Sequence, residues 1–132
     1  MNGPKRIAIL GSTGSIGRQA LEVIDWHPDR FVVVGLAARN DAALFREQVS
    51  RYRPRLAGLS NPGPDGWCPE GTRLCSGPGA LVEVATAPDV DLVLVATSGT
   101  AGLGPAIAAL RTSRPVALAN KEALIMAGHL IM

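Results

Sequence analysis

The sequence predicts an α/β protein of the Rossmann-like, doubly wound kind: a mainly parallel sheet with helices on both faces. Three observations predict it. Short apolar, β-branched runs without polar alternation recur along the chain, as strands buried on both faces require. Segments of helical periodicity separate them. The first run ends in a glycine-rich loop, LGSTGSIG from Leu10 to Gly17, which opens directly into a helix.

The chain of 132 residues is long enough for one domain with a sizeable core and too short for two ordinary ones. Hydrophobic residues make up 47% and charged residues 18%, which excludes a disordered chain. Net charge is only +2, and the densest basic run, Arg51 to Arg55, is short and broken by Pro54. A nucleic-acid surface needs a broader stripe, so no nucleic-acid partner is expected. No uncharged apolar stretch reaches the roughly 18 residues of a spanning helix, and no membrane role is expected. Cys68 and Cys75 lie in a Gly/Pro-rich stretch, and no secretory leader opens the sequence. A reduced, cytoplasmic protein is expected, with a Cys68–Cys75 disulfide as the alternative. Two thiols without further ligands do not make a metal site.

Lys5–Leu10 is the first strand, stopped by Gly11. From Ser15 onward Ile16, Ala20, Val23 and Ile24 mark one face of a helix, and Pro28 lies just past its end. Phe31–Ala38 is a second buried strand in which Gly35 marks a close approach. Asp41–Tyr52 reads as a helix with Ala42, Phe45, Val49 and Tyr52 inward, and Arg55–Ser60 as a weaker strand. Asn61–Gly79 is dense in Gly and Pro, an irregular surface excursion with a short strand at Arg73–Ser76. Leu81–Thr86 ends a helix, Asp91–Ala96 is a strand, Ala101–Arg111 a helix, Pro115–Leu118 a strand and Lys121–Met132 a helix. That last helix stops at Met132 without glycine, proline or polar tail, so the sequence is expected to be a piece of a longer protein.

The quoted loop spaces its glycines as G-x-x-G-x-x-G, one residue wider than the dinucleotide fingerprint G-x-G-x-x-G. A turn from strand to helix carries unpaired helix N–H groups to the mouth of the sheet, where phosphate suits them. Gly11 can make the turn, Gly14 can let backbone approach a pyrophosphate, and Gly17 can let the helix pack closely. Ser12, Thr13 and Ser15 could add hydroxyl donors. The competing reading is a turn that only packs a helix.

In such folds the end of the second strand selects the cofactor, a carboxylate binding a ribose 2′-hydroxyl and a basic residue a 2′-phosphate. Here it reads Ala37-Ala-Arg39-Asn40, and no carboxylate appears before Asp41. One charge-assisted contact from Arg39 contributes about 1.5 to 3 kcal/mol, a preference of roughly tenfold to a hundredfold. NADP is therefore expected over NAD, unless Arg39 is merely solvated.

Two further loops leave the sheet on the same side. Val95–Gly102 has only small residues, which suits a wall against a ring or ribose, or an ordinary turn. In Ala117-Leu-Ala-Asn-Lys-Glu122 three polar side chains follow abruptly on a strand. Asn120 can donate and accept toward an amide, and Glu122 can accept from a hydroxyl or fix Lys121. The same residues also suit a capped helix start.

GSTGSIG after the first strand, SGTAGLGPAIAAL in the middle and LANKEALIMAG near the end resemble the amino-terminal, cofactor-binding domain of the 1-deoxy-D-xylulose 5-phosphate reductoisomerase family. The last motif is the specific one, because semialdehyde-type reductases share the first without it. The resemblance covers essentially the whole chain except residues 61–79. It implies an enzyme of the non-mevalonate isoprenoid pathway that rearranges its sugar-phosphate substrate and reduces the resulting aldehyde with NADPH. The product would be 2-C-methyl-D-erythritol 4-phosphate. The resemblance also implies a divalent metal, magnesium or manganese, acting as Lewis acid, and a homodimeric full-length enzyme.

Carried over by motif, Thr13, Gly14, Ser15 and Ile16 would line the pyrophosphate, and Ala38, Arg39 and Asn40 would surround the 2′-phosphate. Asn120 and Glu122 would lie near the nicotinamide, with Lys121 toward the substrate. Two positions depart from the family pattern: Ala38 stands where glycine is frequent, and Ala123 where serine is common. The family's metal ligands lie downstream of this segment, so no catalytic or metal-binding residue is assigned in the chain, which is expected to be inactive alone. Asp89 and Asp91 read as a turn, and His27 and His129 as surface or packing residues. A stand-alone NADP-binding or sensing module is the alternative, though it has no use for a substrate-facing lysine. A semialdehyde dehydrogenase fragment is a third.

Overall fold

The computed structural model describes residues 3–64, 66–97 and 101–118. Six strands form one sheet in the order β4-β3-β2-β1-β5-β6, and every pairing is parallel. In chain order they are β1 (Lys5–Leu10), β2 (Phe31–Asn40), β3 (Leu56–Asn61), β4 (Arg73–Ser76), β5 (Leu92–Val95) and β6 (Val116–Leu118). The helices are α1 (Ser15–Trp26), α2 (Ala43–Tyr52), α3 (Ala80–Ala85) and α4 (Leu103–Arg111). The expected doubly wound architecture is present, including the short strand inside the excursion. The helix expected at Lys121–Met132 lies outside the described residues.

Alternation along each strand feeds two cores. Ile7 and Ile9 of β1 join Leu36 and Leu59 against Leu21, Ile24, Phe45 and Val49 of α1 and α2. Ala8 and Leu10 face the other way, against Leu81 and Val84 of α3 and Ala106 and Ala109 of α4. The β1–β2 register slips between Ile7 and Ala8, pairing Val33 with Ile7 and Gly35 with Ala8. The close approach expected at Gly35 is there: an added Cβ would lie 2.9 Å from Val84 Cγ1 and 3.1 Å from Ala8 Cβ.

Two helix faces differ from the sequence reading. In α1 the buried residues are Gly17, Leu21 and Ile24, while Ile16 and Val23 are exposed. Gly17 sets this rotation, because its Cα rests on the backbone of Gly11 and Ser12 and no other residue would fit there. In α2 the helix begins at Ala43, Ala42 is the exposed N-cap, and Gln48 joins Phe45 and Val49 inside. Asp41 is drawn out of the helix by Arg46, which donates to it from Nε (2.9 Å) and Nη2 (2.6 Å).

Asn61–Gly79 is also less peripheral than expected. Trp67 packs edge-on against Phe45, with centroids 6.1 Å apart, and the Arg46 guanidinium lies 4.9 Å over the Trp67 ring. Cys68 and Cys75 are free thiols. Burial pushes the Cys75 thiol up to about 11. Asp91 accepts from the Arg6 backbone N–H and guanidinium, consistent with the turn role. No described helix is long and apolar enough to cross a membrane.

Candidate nucleotide site

The chain winds α1 and α2 onto one face of the sheet and α3 and α4 onto the other, so its direction reverses between β1 and β5. Outside the carboxyl ends of the strands at such a switch point is where open α/β sheets take ligands. A cavity of about 430 Å³ lies there, lined by Gly11, Thr13 and Gly14, by Ala38 and Arg39 at the end of β2, and by Ser60 after β3. Ala96, Thr97 and Ala101 close one side, and Pro78, Leu81, Val82 and Pro105 the other. The volume falls within the range of small-molecule sites.

The three loop glycines do different work. Gly11 has φ +85°, and a Cβ there would sit 2.8 Å from Thr97 N. It is required by the turn. Gly17 is required by the helix, since its Cβ would collide with Gly11 O and Ser12 Cα. Gly14 is required by neither: its φ is −76° and an added Cβ would meet nothing closer than 3.6 Å. The space beside Gly14 opens on the cavity.

The first helical bond of α1 runs from Arg18 N–H to Gly14 O (2.9 Å), leaving the amides of Ser15, Ile16 and Gly17 without helical acceptors. No side chain caps this end, and no acidic residue occupies its first turn. No carboxylate in the first turn of α1 compensates the positive end of its dipole. Two hydroxyls beside it are buried without partners among the described residues, Ser12 Oγ and Thr97 Oγ1.

Gln48, which sequence reasoning passed over, holds the loop from beneath. Its Nε2 donates to Ser12 O at 2.9 Å, and the side chain is buried. Its signal was its place on the inward stripe of α2, three residues after Phe45. Pro78, Leu81 and Val82 were also missed as cavity walls.

Of the residues predicted for the site, Thr13, Gly14, Ala38 and Arg39 meet on this cavity. Ser15 and Ile16 form the exposed first turn of α1 and do not line the cavity. Asn40 is exposed and accepts a hydrogen bond from Asn61 Nδ2 (3.1 Å). Arg39 is exposed and forms no ion pair among the described residues. The Asp41 carboxylate lies against Gly63, and the hydrogen bonds from Arg46 hold it below the usual carboxylate range. Asn120, Lys121 and Glu122 lie outside the described residues. Among the described residues no group of three His, Cys, Asp or Glu could hold a metal ion.

Comparison with known proteins matches this architecture to one family. The 1-deoxy-D-xylulose 5-phosphate reductoisomerase family matches residues 7–128. A reductoisomerase of that name from Anaeromyxobacter sp. (strain K) is 48% identical over 132 residues, covering 97% of this chain and 34% of its own length. The enzyme from Zymomonas mobilis in complex with NADPH superposes with a TM-score of 0.83 at 32% identity, over 98% of this chain and 35% of that one. A further reductoisomerase structure, in complex with NADPH, fosmidomycin and magnesium, gives a TM-score of 0.77 at 31% identity, over 96% and 32% of the two chains. The chain spans about a third of the length of the curated relatives it matches. With a glycine loop, a helix N-terminus and a basic strand end meeting at the switch point of a parallel sheet, the chain belongs to the 1-deoxy-D-xylulose 5-phosphate reductoisomerase family.

Proposed function

We propose that this chain is the NADPH-binding domain of a 1-deoxy-D-xylulose 5-phosphate reductoisomerase. The observation that carries the reading is the meeting, on one cavity, of the α1 N-terminus at Gly14 and the exposed Arg39, neither with a side-chain partner among the described residues. Two separated anion sites are what a dinucleotide with a 2′-phosphate needs. Relatives solved in complex with NADPH share this fold, which supports the reading.

In this reading the amides of Ser15 and Ile16, with Thr13, hold the pyrophosphate, and Gly14 lets it come close. Arg39, with Ala38 and Asn40, receives the 2′-phosphate. Thr97, on the cavity wall, lies toward the ribose or ring. Asn120 and Glu122 stand near the nicotinamide, and Lys121 faces the sugar phosphate. When bound, NADPH supplies the hydride that reduces the rearranged aldehyde. The described residues offer no ligand set for the divalent metal, so no step through it is assigned to them.

The whole protein then converts 1-deoxy-D-xylulose 5-phosphate to 2-C-methyl-D-erythritol 4-phosphate, as a homodimer in the cytoplasm. The test is to supply substrate, NADPH and magnesium to the protein that carries this chain, following NADPH oxidation and product together. Both are expected, and both should be lost in Gly14→Val. NADPH-dependent turnover that survives Gly14→Val contradicts the assignment of the loop.

A further inference from the structure

We infer that the Asp41–Arg46 pair is a specificity-determining element, which neutralises the first carboxylate after the cofactor-selecting strand and so keeps that end hospitable to a 2′-phosphate. The inference rests on the cofactor reading above. Asp41 is the first carboxylate after β2 and stands two residues past Arg39. In folds of this kind a carboxylate near that place binds the ribose diol and repels a phosphate. Here it is bound on both oxygens by one guanidinium, at 2.9 and 2.6 Å, and its side chain is only 8% exposed.

Three neighbours fix that geometry. The Arg46 guanidinium lies over the Trp67 ring, its Nη2 also reaches Pro64 O (3.5 Å), and an added Cβ on Gly63 would collide with Asp41 Oδ2. The excursion after β3 therefore clamps the Asp41–Arg46 pair through Gly63, Pro64 and Trp67. Without Arg46, a bare negative charge would remain beside the phosphate site. A unit charge within a few ångströms of a phosphate changes its affinity roughly tenfold, and salt screens the effect.

The experiment measures NADPH and NADH dissociation constants of the 132-residue chain, at low and high salt, for wild type, Arg46→Met and Asp41→Asn/Arg46→Met. Methionine keeps an apolar stem over Trp67 while removing the charge. The expected result for Arg46→Met is NADPH binding weakened about tenfold at low salt and less at high salt, with NADH binding unchanged or tighter. The double variant should return to the wild-type ratio. Equal, salt-independent losses for both cofactors, or a double variant as poor as the single, overturn the inference, because both mean that the pair only supports structure. A wild-type chain without NADPH preference overturns the cofactor reading and this inference with it. A wild-type preference that Arg46→Met leaves intact overturns this inference alone.

Discussion

The buried carboxamide of Gln48 donates to the carbonyl oxygen of Ser12 at 2.9 Å, tying α2 to the glycine loop across 36 residues of sequence. Removing it leaves a buried acceptor unsatisfied, which costs about 1 to 3 kcal/mol. Gln48→Leu is therefore expected to lower the unfolding free energy by that amount, read by chemical denaturation. It should also weaken NADPH binding, because Ser12 adjoins the residues that line the cavity. A variant as stable as wild type would show that Ser12 O finds another donor.

Gly17→Ala separates helix propensity from packing. Propensity alone favours alanine by about 1 kcal/mol. The added methyl would meet the Gly11 and Ser12 backbone, which no rotamer relieves. The expected net effect is a loss of about 1 to 3 kcal/mol, read by chemical denaturation.

Gly14→Ala should do the opposite. Its Cβ meets nothing closer than 3.6 Å, so stability is expected to stay within about 0.5 kcal/mol of wild type. NADPH affinity should fall roughly tenfold to a hundredfold, the worth of one displaced charge-assisted contact. Calorimetry of folding and of binding on the same sample distinguishes the two effects.

Tyr52 gives an alkaline signature. Its burial, and then its hydrogen bond to Asp25 (2.9 Å), push the phenol up to about 12. A folded pKa above the unfolded value near 10 contributes stability that is full below pH 10 and lost as pH rises toward 12. As the chain's one tyrosine, its phenolate absorbance reports it alone. Titration near the ordinary value of about 10 in the folded protein contradicts this, and Tyr52→Phe should remove the loss of stability.

The strands were legible because a parallel sheet covered on both faces demands runs such as those of β1 and β2, and few other structures do. Gly11 and Gly17 were legible because backbone proximity leaves no substitute for them, whereas Gly14 keeps space open beside the cavity. The face of α1 was misread because Ile16 and Val23 look like core residues, whereas the bare Cα of Gly17 decides which side turns in. Gln48 was missed because a carboxamide on an apolar stripe has meaning only when its acceptor, 36 residues away, is known. The same holds for Asp41, whose partner Arg46 is clamped by Trp67 and Pro64 from a stretch that reads as irregular. The roles of Asn120, Lys121 and Glu122 rest on motif resemblance, since those residues lie outside the described structure.

The most direct test is an NADPH and NADH titration of the wild-type chain and of Arg39→Asp. Placing the 2′-phosphate at Arg39 predicts a wild-type preference for NADPH of roughly tenfold to a hundredfold, lost in the variant while NADH affinity holds or rises. An NADPH affinity unchanged by Arg39→Asp would contradict the placement of the cofactor on this site.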